Sequence, residues 1–487
     1  MSATPTLLGI DLGTSSVKVV LTDPAGHLLD QATEAYPVER PRPGWAETDP
    51  QAWWDAIVKA VARLTTANAR QVAGIGLSGQ MHGVVLCTAD STPTRPALLW
   101  CDARAEPQLD LYRQLPAQTR ARLGNPLSAG MAGPQLAWLH RQEPATVDRA
   151  RWALQPKDWI RARLTGQFAA EPSDASATLL YDILSQDWDD TVIDALGLRR
   201  SLLPDILAHS GVCAGRLTTT AAAGLGLTTD VPVAAGAADT AAAALGTGLL
   251  APGRTQLTIG TGVQIVSIVD TPAPSTADPV AHLYRDATPT GWYAMAASLT
   301  GGQTLDWVRS ILGSSWAELY QTAAREPRAD DPVFVPHLVG ERTPYLDTQL
   351  RGSWTGLAAS HTRTDLLYAA LEGVAFAAAD ALHALPGTID TDNGLLIAGG
   401  GTTSPPWRAL LSDVLGLPLD AVAVPSASAR GAGLLGATAA GLTTLDDLAA
   451  TSRLASERVA EPGPRANLLR QRHDQYRRVL IQLGNLN

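Results

Sequence analysis

Short runs of apolar residues alternate along this chain with longer stretches whose apolar positions recur at helical spacing. Leu7–Leu12, broken only by Asp11, reads as a buried strand, and after Gly13-Thr14-Ser15-Ser16 the β-branched run Val17–Leu21 reads as its hairpin partner. Roughly half a chain later, Gln256–Ile259, Gly260-Thr261-Gly262 and Val263–Ile268 repeat the layout, again with Gly-Thr at the turn. Val72–Leu77, Ala97–Trp100 and Val231–Ala235 read as further strands, the last leading into an Ala-rich helix from Thr240 to Leu245. A helix is predicted over Asp365–Ala384, stopped by Pro386-Gly387, then a strand at Leu395–Ala398. After Gly399-Gly400-Gly401 another helix covers Trp407–Leu415, and a last one covers Ala466–Leu483 beyond the Glu461–Pro464 break.

Strands alternating with helices predict an α/β protein, and the repeated hairpin predicts two related lobes. The Gly, Thr and Pro cluster at Gly246–Pro252 places the boundary, giving an N-terminal lobe over 1–247, a C-terminal lobe over 248–460 and a terminal helix over 461–487. A length of 487 residues exceeds what one small binding module needs.

Composition narrows the function. With 45% hydrophobic residues, 17% charged and a net charge of −10, the chain reads as acidic and globular, with no global attraction to nucleic acid or to anionic membrane. Cys87, Cys101 and Cys213 have no CxxC or Cys/His spacing, which predicts a reducing compartment and no structural zinc. The N-terminus lacks a basic leader, and the charge-poor run Val231–Ala251 is interrupted by Pro232 and Asp239, so neither is read as a membrane segment. A cytoplasmic protein is expected.

Several short motifs can carry chemistry. At Asp11–Lys18, the turn Gly13-Thr14-Ser15-Ser16 exposes backbone N–H and hydroxyl donors that suit phosphate oxygens. Lys18 would add a point charge, and Asp11 could hold Mg²⁺ through water. An ordinary β-turn with an exposed lysine explains the same residues. The second hairpin at Gly260-Thr261-Gly262 favours the phosphate reading, since two hairpins from duplicated lobes can clamp a polyphosphate. No GxxxxGK[ST] loop is present. Gly399-Gly400-Gly401, followed by Thr402-Thr403-Ser404, leaves room for a nucleoside, or simply makes a tight strand-to-helix crossover. Gly246–Ala251 spells GxGxxA but follows a helix, so the dinucleotide reading fails. Asp239 reads both as a helix N-cap and as a carboxylate in an apolar cleft that can accept a proton from an alcohol. Gly79-Gln80-Met81-His82-Gly83 ends a strand where α/β sheets place ligand crevices. It offers a polar donor and an adaptable wall to a polyhydroxylated ligand. Asp102 in Trp100-Cys101-Asp102 would bind hydroxyls or cap. Lys157 in Pro156-Lys157-Asp158-Trp159 is one of only three lysines, with Lys18 and Lys59, and a surface salt bridge is at least as good a reading as a functional role.

Taken in order, Ile10–Lys18, Pro43–Trp54, Ile75–Gly83, Arg95–Arg104, Pro156–Gly166, Gly340–Asp347, Gly352–Gly373 and Gly399–Val414 resemble the FGGY family of carbohydrate kinases over nearly the whole chain. SGQMHG and PALLWCDAR favour its xylulose-phosphorylating branch over glycerol kinases. The resemblance implies two actin-like (RNase-H-like) ATPase lobes, ATP and Mg²⁺ in the cleft, and transfer of phosphate to the 5-hydroxyl of D-xylulose. It implies Asp239 as proton acceptor and Asp11 as a second catalytic residue, important for activity. Asp11, with Asp239, would lie near the metal through water, and Gln80, Met81, His82, Asp102, Asp239 and Thr240 would lie on the sugar. Gly13, Thr14, Ser15, Ser16, Lys18, Gly260, Thr261 and Gly262 would lie on phosphates, and Gly399, Gly400, Gly401 and Ser404 on adenosine. The insertion Pro43–Trp54 would help build the sugar pocket. The partners implied are a small sugar and ATP, with neither nucleic acid nor membrane, and a homodimer is left open. Departures from the family pattern fall at Thr240 (its Asn), Gly262-Val263 (its Ser-Gly), Cys101 (its Asn) and Tyr345 (its His). A kinase for another ketose, polyol or sugar acid is the nearest alternative. An actin- or chaperone-like ATPase switch is the alternative from a different class.

Overall fold

The computed structural model describes residues 5–64, 72–270, 272, 277–387, 390, 393–451 and 456–483. Two sheets of seven strands each carry the molecule. In the first, Thr6–Leu12 pairs antiparallel with Ser16–Thr22, which pairs with Leu28–Ala35. On its other side Thr6–Leu12 runs parallel to Val72–Gly79, and Val72–Gly79 runs parallel to Pro232–Ala234 and to Ala237–Ala238. The second sheet repeats the plan. Thr255–Ile259 pairs antiparallel with Val263–Val269, which pairs with Trp292–Ser298, while the other edge of Thr255–Ile259 runs parallel to Leu395–Ala398 and on to Leu419–Ala421. Both hairpin turns therefore sit at the same corner of equivalent sheets.

The central strands are almost wholly apolar because both faces are covered. The core of the second lobe is built on the 21-residue helix Arg363–His383, nucleated by a capping box of Thr362 and Asp365. It is the one helix among the described residues long and apolar enough to cross a membrane, and 89% of its most apolar window is buried inside the protein. The C-terminal helix Ala466–Gln482 joins the same core through Leu469, Tyr476 and Leu480.

Two sequence expectations need correction. Ala97–Trp100 is not a strand of a main sheet. Only Ala97–Leu98 is extended, paired with Glu47–Thr48 in a separate two-stranded ribbon. And the helix Ala427–Ala439, which lies in the C-terminal half of the chain, packs on the first sheet, against Val72–Gly79 and Thr6–Leu12, and on the helix Asp239–Thr247. Glycines permit that approach. A Cβ on Gly76 would lie 1.8 Å from the Ala432 carbonyl oxygen, and one on Gly431 would lie 1.9 Å from that of Ala242. The seam is backbone against backbone.

Candidate active site

The strand Thr6–Leu12 delivers Asp11 to the end of the first sheet, in register with Lys18 on one neighbour and Ser78 on the other. Ser78 Oγ donates to Asp11 Oδ1 at 3.0 Å. Burial nevertheless holds the Asp11 carboxyl above its usual range, against the lowering pull of the Ser78 hydrogen bond and of Lys18. The turn that follows is fixed from outside: Gly13 N–H donates to the Ser16 carbonyl at 3.0 Å, and the Gly13 carbonyl accepts from the Tyr36 hydroxyl and, at 3.2 Å, from Gln80 Nε2. Trp100 Nε1 donates to Thr14 Oγ1 at 2.9 Å. Thr14 keeps its own proton to donate, and Ser15 is exposed at the tip.

Asp239 opens the helix Asp239–Thr247, which ends at Gly248 in the left-handed region. Ala238, not Asp239, is the N-cap residue, and no side chain caps this helix. The N-cap reading of Asp239 is therefore replaced by one in which its carboxylate is left for other work. Asp239 Oδ1 accepts from Thr240 Oγ1 at 3.2 Å. Burial, and then the neighbouring Asp11, push its pKa up to about 7. Thr240 Oγ1 in turn accepts from Gln264 Nε2 at 3.3 Å, and Gln264 stands on the second sheet, 3.2 Å from Met295 Sδ.

Between the lobes lies a cavity of about 350 Å³. Its walls include His82, Trp100, Cys101 and Met131 from the first lobe, and His282, Met295, Ala297 and Arg342 from the second. His82 has φ +73 and a ring nitrogen, Nδ1, 2.7 Å from the Ala177 carbonyl. Nδ1 must donate there, so Nε2 is an acceptor, and burial lowers the pKa to about 4, keeping the ring neutral. Met81 is packed into the hydrophobic core. Tyr284 lies within electrostatic reach of both Asp239 and Arg342, which links the candidate proton acceptor to this cavity.

Asp102 has several partners of its own. It lines the cavity, but its carboxylate also grips Arg104 with both oxygens at 2.8–3.0 Å and accepts the Ala46 N–H at 2.6 Å, which braces the Trp100–Ala103 loop. The insertion Pro43–Trp54 acts on that loop as well: Leu99 N–H donates to the Ala46 carbonyl at 3.1 Å and Ala103 N–H to the Gly44 carbonyl at 2.7 Å. It supports the pocket from behind.

At the second hairpin, Gly260 N–H donates to the Gly262 carbonyl at 3.0 Å. The helix Gly302–Ile311 begins directly against it, with Gly302 N–H on the Gly260 carbonyl at 2.9 Å and Gln303 N–H on the Thr261 carbonyl at 2.9 Å. A Cβ on Gly302 would lie 2.4 Å from the Gly260 oxygen. Sequence reading missed this helix start, although Gly301-Gly302 directly after a strand was the available signal. Gly399 has φ +92, and a Cβ there would lie 2.5 Å from the Ile259 carbonyl oxygen, so the triple glycine wraps the end of the strand that carries the second hairpin. Gly400 faces open space, and Ser404 is the N-cap residue of Pro405–Leu415.

Lys157 is not on the surface, where sequence reading left room for it. It is fully buried, with Nζ 2.7 Å from Asp158, 3.1 Å from Glu171 and 3.0 Å from Asp174. Arg342, His282, Tyr284 and Gln264 are further residues that sequence reading missed. They come from the second lobe and meet the first only in the folded chain.

Two equivalent sheets, each with a glycine-rich hairpin at the corresponding corner, and a cavity lined by residues of both lobes fit a two-lobed phosphotransferase acting on an alcohol group. Models of the FGGY carbohydrate kinase family, N-terminal and C-terminal domains, match residues 6–246 and 256–440. The chain belongs to the FGGY family of carbohydrate kinases. It is 36% identical to the xylulose kinase of Escherichia coli over 85% of each chain. It is 31% identical to a glycerol kinase of Gloeobacter violaceus, over 90% of this chain and 88% of that one. The crystal structure of a xyloylose kinase from Brucella ovis superposes with a TM-score of 0.91 at 32% identity, covering 99% of this chain and all of that one.

Proposed function

We propose that this protein transfers the γ-phosphoryl group of ATP, with Mg²⁺, to the 5-hydroxyl of D-xylulose in the cytoplasm. The carrying observation is Asp239, a half-buried carboxylate whose pKa is pushed up to about 7 by desolvation and by Asp11, and which is linked through Thr240 and Gln264 to Met295 on the wall of the cavity between the lobes. Such a group is ionised enough near neutrality to take a proton and basic enough to want one. Similarity to several bacterial xylulose kinases, 29–36% identical, supports the substrate.

Asp11 and Asp239 fit a magnesium ion held through water. They are oxygen donors close enough to perturb one another, and Mg²⁺ commonly takes one or two carboxylates plus substrate phosphates. When bound, the ion would supply charge neutralisation at the phosphate oxygens. The chain's own residues do the rest. The Gly13–Ser16 and Gly260–Gly262 hairpins, with the N-terminus of Gly302–Ile311, offer N–H and hydroxyl donors to the phosphates. Gly399–Gly401 leaves a Cβ-free shelf for adenosine. His82 Nε2 accepts a sugar hydroxyl, Trp100 walls the cavity, and Asp239 orients the attacking hydroxyl and takes its proton.

Sugar-dependent ADP release across D-xylulose, D-ribulose, L-ribulose, glycerol and gluconate tests the reading. The highest kcat/KM is expected with D-xylulose. Preference for another acceptor would overturn the substrate, and ADP release indifferent to every sugar would overturn the kinase chemistry.

A further inference from the structure

Five ionisable side chains, Lys157, Asp158, Arg161, Glu171 and Asp174, are buried together behind the active-site end of the first sheet. A cluster of this kind is weak evidence for stability, because well-packed apolar residues often do as well in its place. Its hydrogen bonds show another use. Glu171 collects donors on both oxygens: Ser173 Oγ at 2.7 Å and Asp174 N–H at 2.9 Å on Oε1, Ser173 N–H and Ser210 Oγ at 2.9 Å on Oε2, with Lys157 Nζ 3.1 Å from Oε1. Ser173 Oγ spends its proton on Glu171 and so must accept from its other neighbour, which is the backbone N–H of Ala238 at 2.9 Å.

Ala238 is the residue before Asp239. The backbone leading to it is held at two more places by the same group of residues. Arg161 Nη1 bridges Asp158, at 2.7 Å, to the Ala235 carbonyl, at 2.7 Å, and Gly236 N–H donates to the Ser210 carbonyl at 3.1 Å. Lys157 also packs where a side chain on Gly79 would stand, its Cβ 2.8 Å from that position, and Gly79 is the strand partner of Ala238. Charge and hydrogen bonding thus converge on Ala235, Gly236 and Ala238, in the segment that ends at the candidate proton acceptor.

We propose that Lys157 and Ser173 are positioning residues for Asp239: Lys157 locks Glu171, Glu171 orients Ser173, and Ser173 fixes the Ala238 amide and with it the start of the helix bearing the carboxylate. The proposal rests on Asp239 acting as proton acceptor. Neither residue reaches the substrate. Both set where the carboxylate stands, and a misplacement of about 1 Å can cost on the order of a hundredfold in rate.

The test uses the full-length enzyme and steady-state kinetics with saturating ATP and sugar. Lys157→Met leaves the buried carboxylates of Glu171 and Asp174 without their cation and can fail to fold, so Ser173→Ala carries the decision. It is expected to lower kcat about tenfold or more, with KM for ATP and for sugar within about twofold and a single cooperative melt retained at a somewhat lower temperature. Ser173→Thr, which keeps the hydroxyl, is expected to restore most of kcat. Unchanged kcat in Ser173→Ala would overturn the proposal. So would a loss that falls on KM, or one that Ser173→Thr does not recover. Asp239→Ala assayed in parallel separates the two ideas: if that variant stays active, it is the role of Asp239 that fails.

Discussion

Replacing Asp239 by Asn keeps the shape of the side chain and removes its ability to take a proton. General base catalysis is worth about 10²–10⁴-fold, so kcat should fall by that factor, equivalent to about 3–5 kcal/mol of transition-state stabilisation. The pH dependence carries a second signature. With a pKa of about 7 the carboxyl is about half ionised at neutrality and only about one part in eleven ionised one pH unit lower. Wild-type kcat/KM should therefore drop about fivefold from pH 7 to pH 6 and approach about tenfold per unit further down, while the residual activity of Asp239→Asn should lack that limb. Asp11 is one cause of the elevation, so Asp11→Asn should move the inflection to lower pH in whatever activity it retains. Stability should respond in the opposite sense. A carboxyl raised from 3.8 to about 7 on folding costs the folded state at most about 4 kcal/mol, a cost in full above pH 7 and absent below the ordinary value of 3.8. Asp239→Asn should then melt higher than wild type at pH 8 and at the same temperature near pH 3.8, by differential scanning fluorimetry. A coupled ADP assay gives the rates, and titration calorimetry checks that ATP still binds. An Asp239→Asn enzyme within tenfold of wild-type kcat would refute the reasoning.

Three other perturbations follow from close backbone contacts. Gly302→Ala puts a methyl 2.4 Å from the Gly260 carbonyl oxygen and should raise KM for ATP about tenfold, with KM for sugar little changed, in initial-rate kinetics. Gly399→Ala meets both φ +92 and the Ile259 carbonyl, and should weaken ATP binding by calorimetry. Gly76→Ala drives a methyl into the Ala432 carbonyl far from the substrates, so it should lower the stability by about 1–3 kcal/mol in urea melts while leaving the KM values alone.

The hairpins were readable because a β-branched run, a Gly-Thr turn and a second such run leave few alternatives, and Leu395–Ala398 with its triple glycine was readable for the same reason. Asp239 stood out as a lone carboxylate in an Ala-rich setting, but its helix position was misjudged because N-cap preference is a statistical tendency and here the backbone cap fell on Ala238. Lys157 was unreadable. Its burial depends on Glu171 and Asp174 arriving from a later segment, which no local pattern encodes. The Trp100 loop was misread as a strand end, since an apolar run of four residues looks the same in a main sheet and in a two-residue ribbon. Arg342 and His282 entered the site through tertiary folding alone.

The crossing of Ala427–Ala439 onto the first sheet has a consequence for how the protein can be made and divided. A fragment ending near residue 250 would present the bare groove of Gly9, Gly74 and Gly76 to solvent, because the helix that fills it is supplied by the last quarter of the polypeptide. Synthesis from the ribosome would leave that groove open until almost the whole message is read. Cutting the gene at its apparent midpoint should give an amino-terminal product that is insoluble alone and is rescued when the missing helix is grafted back through a linker.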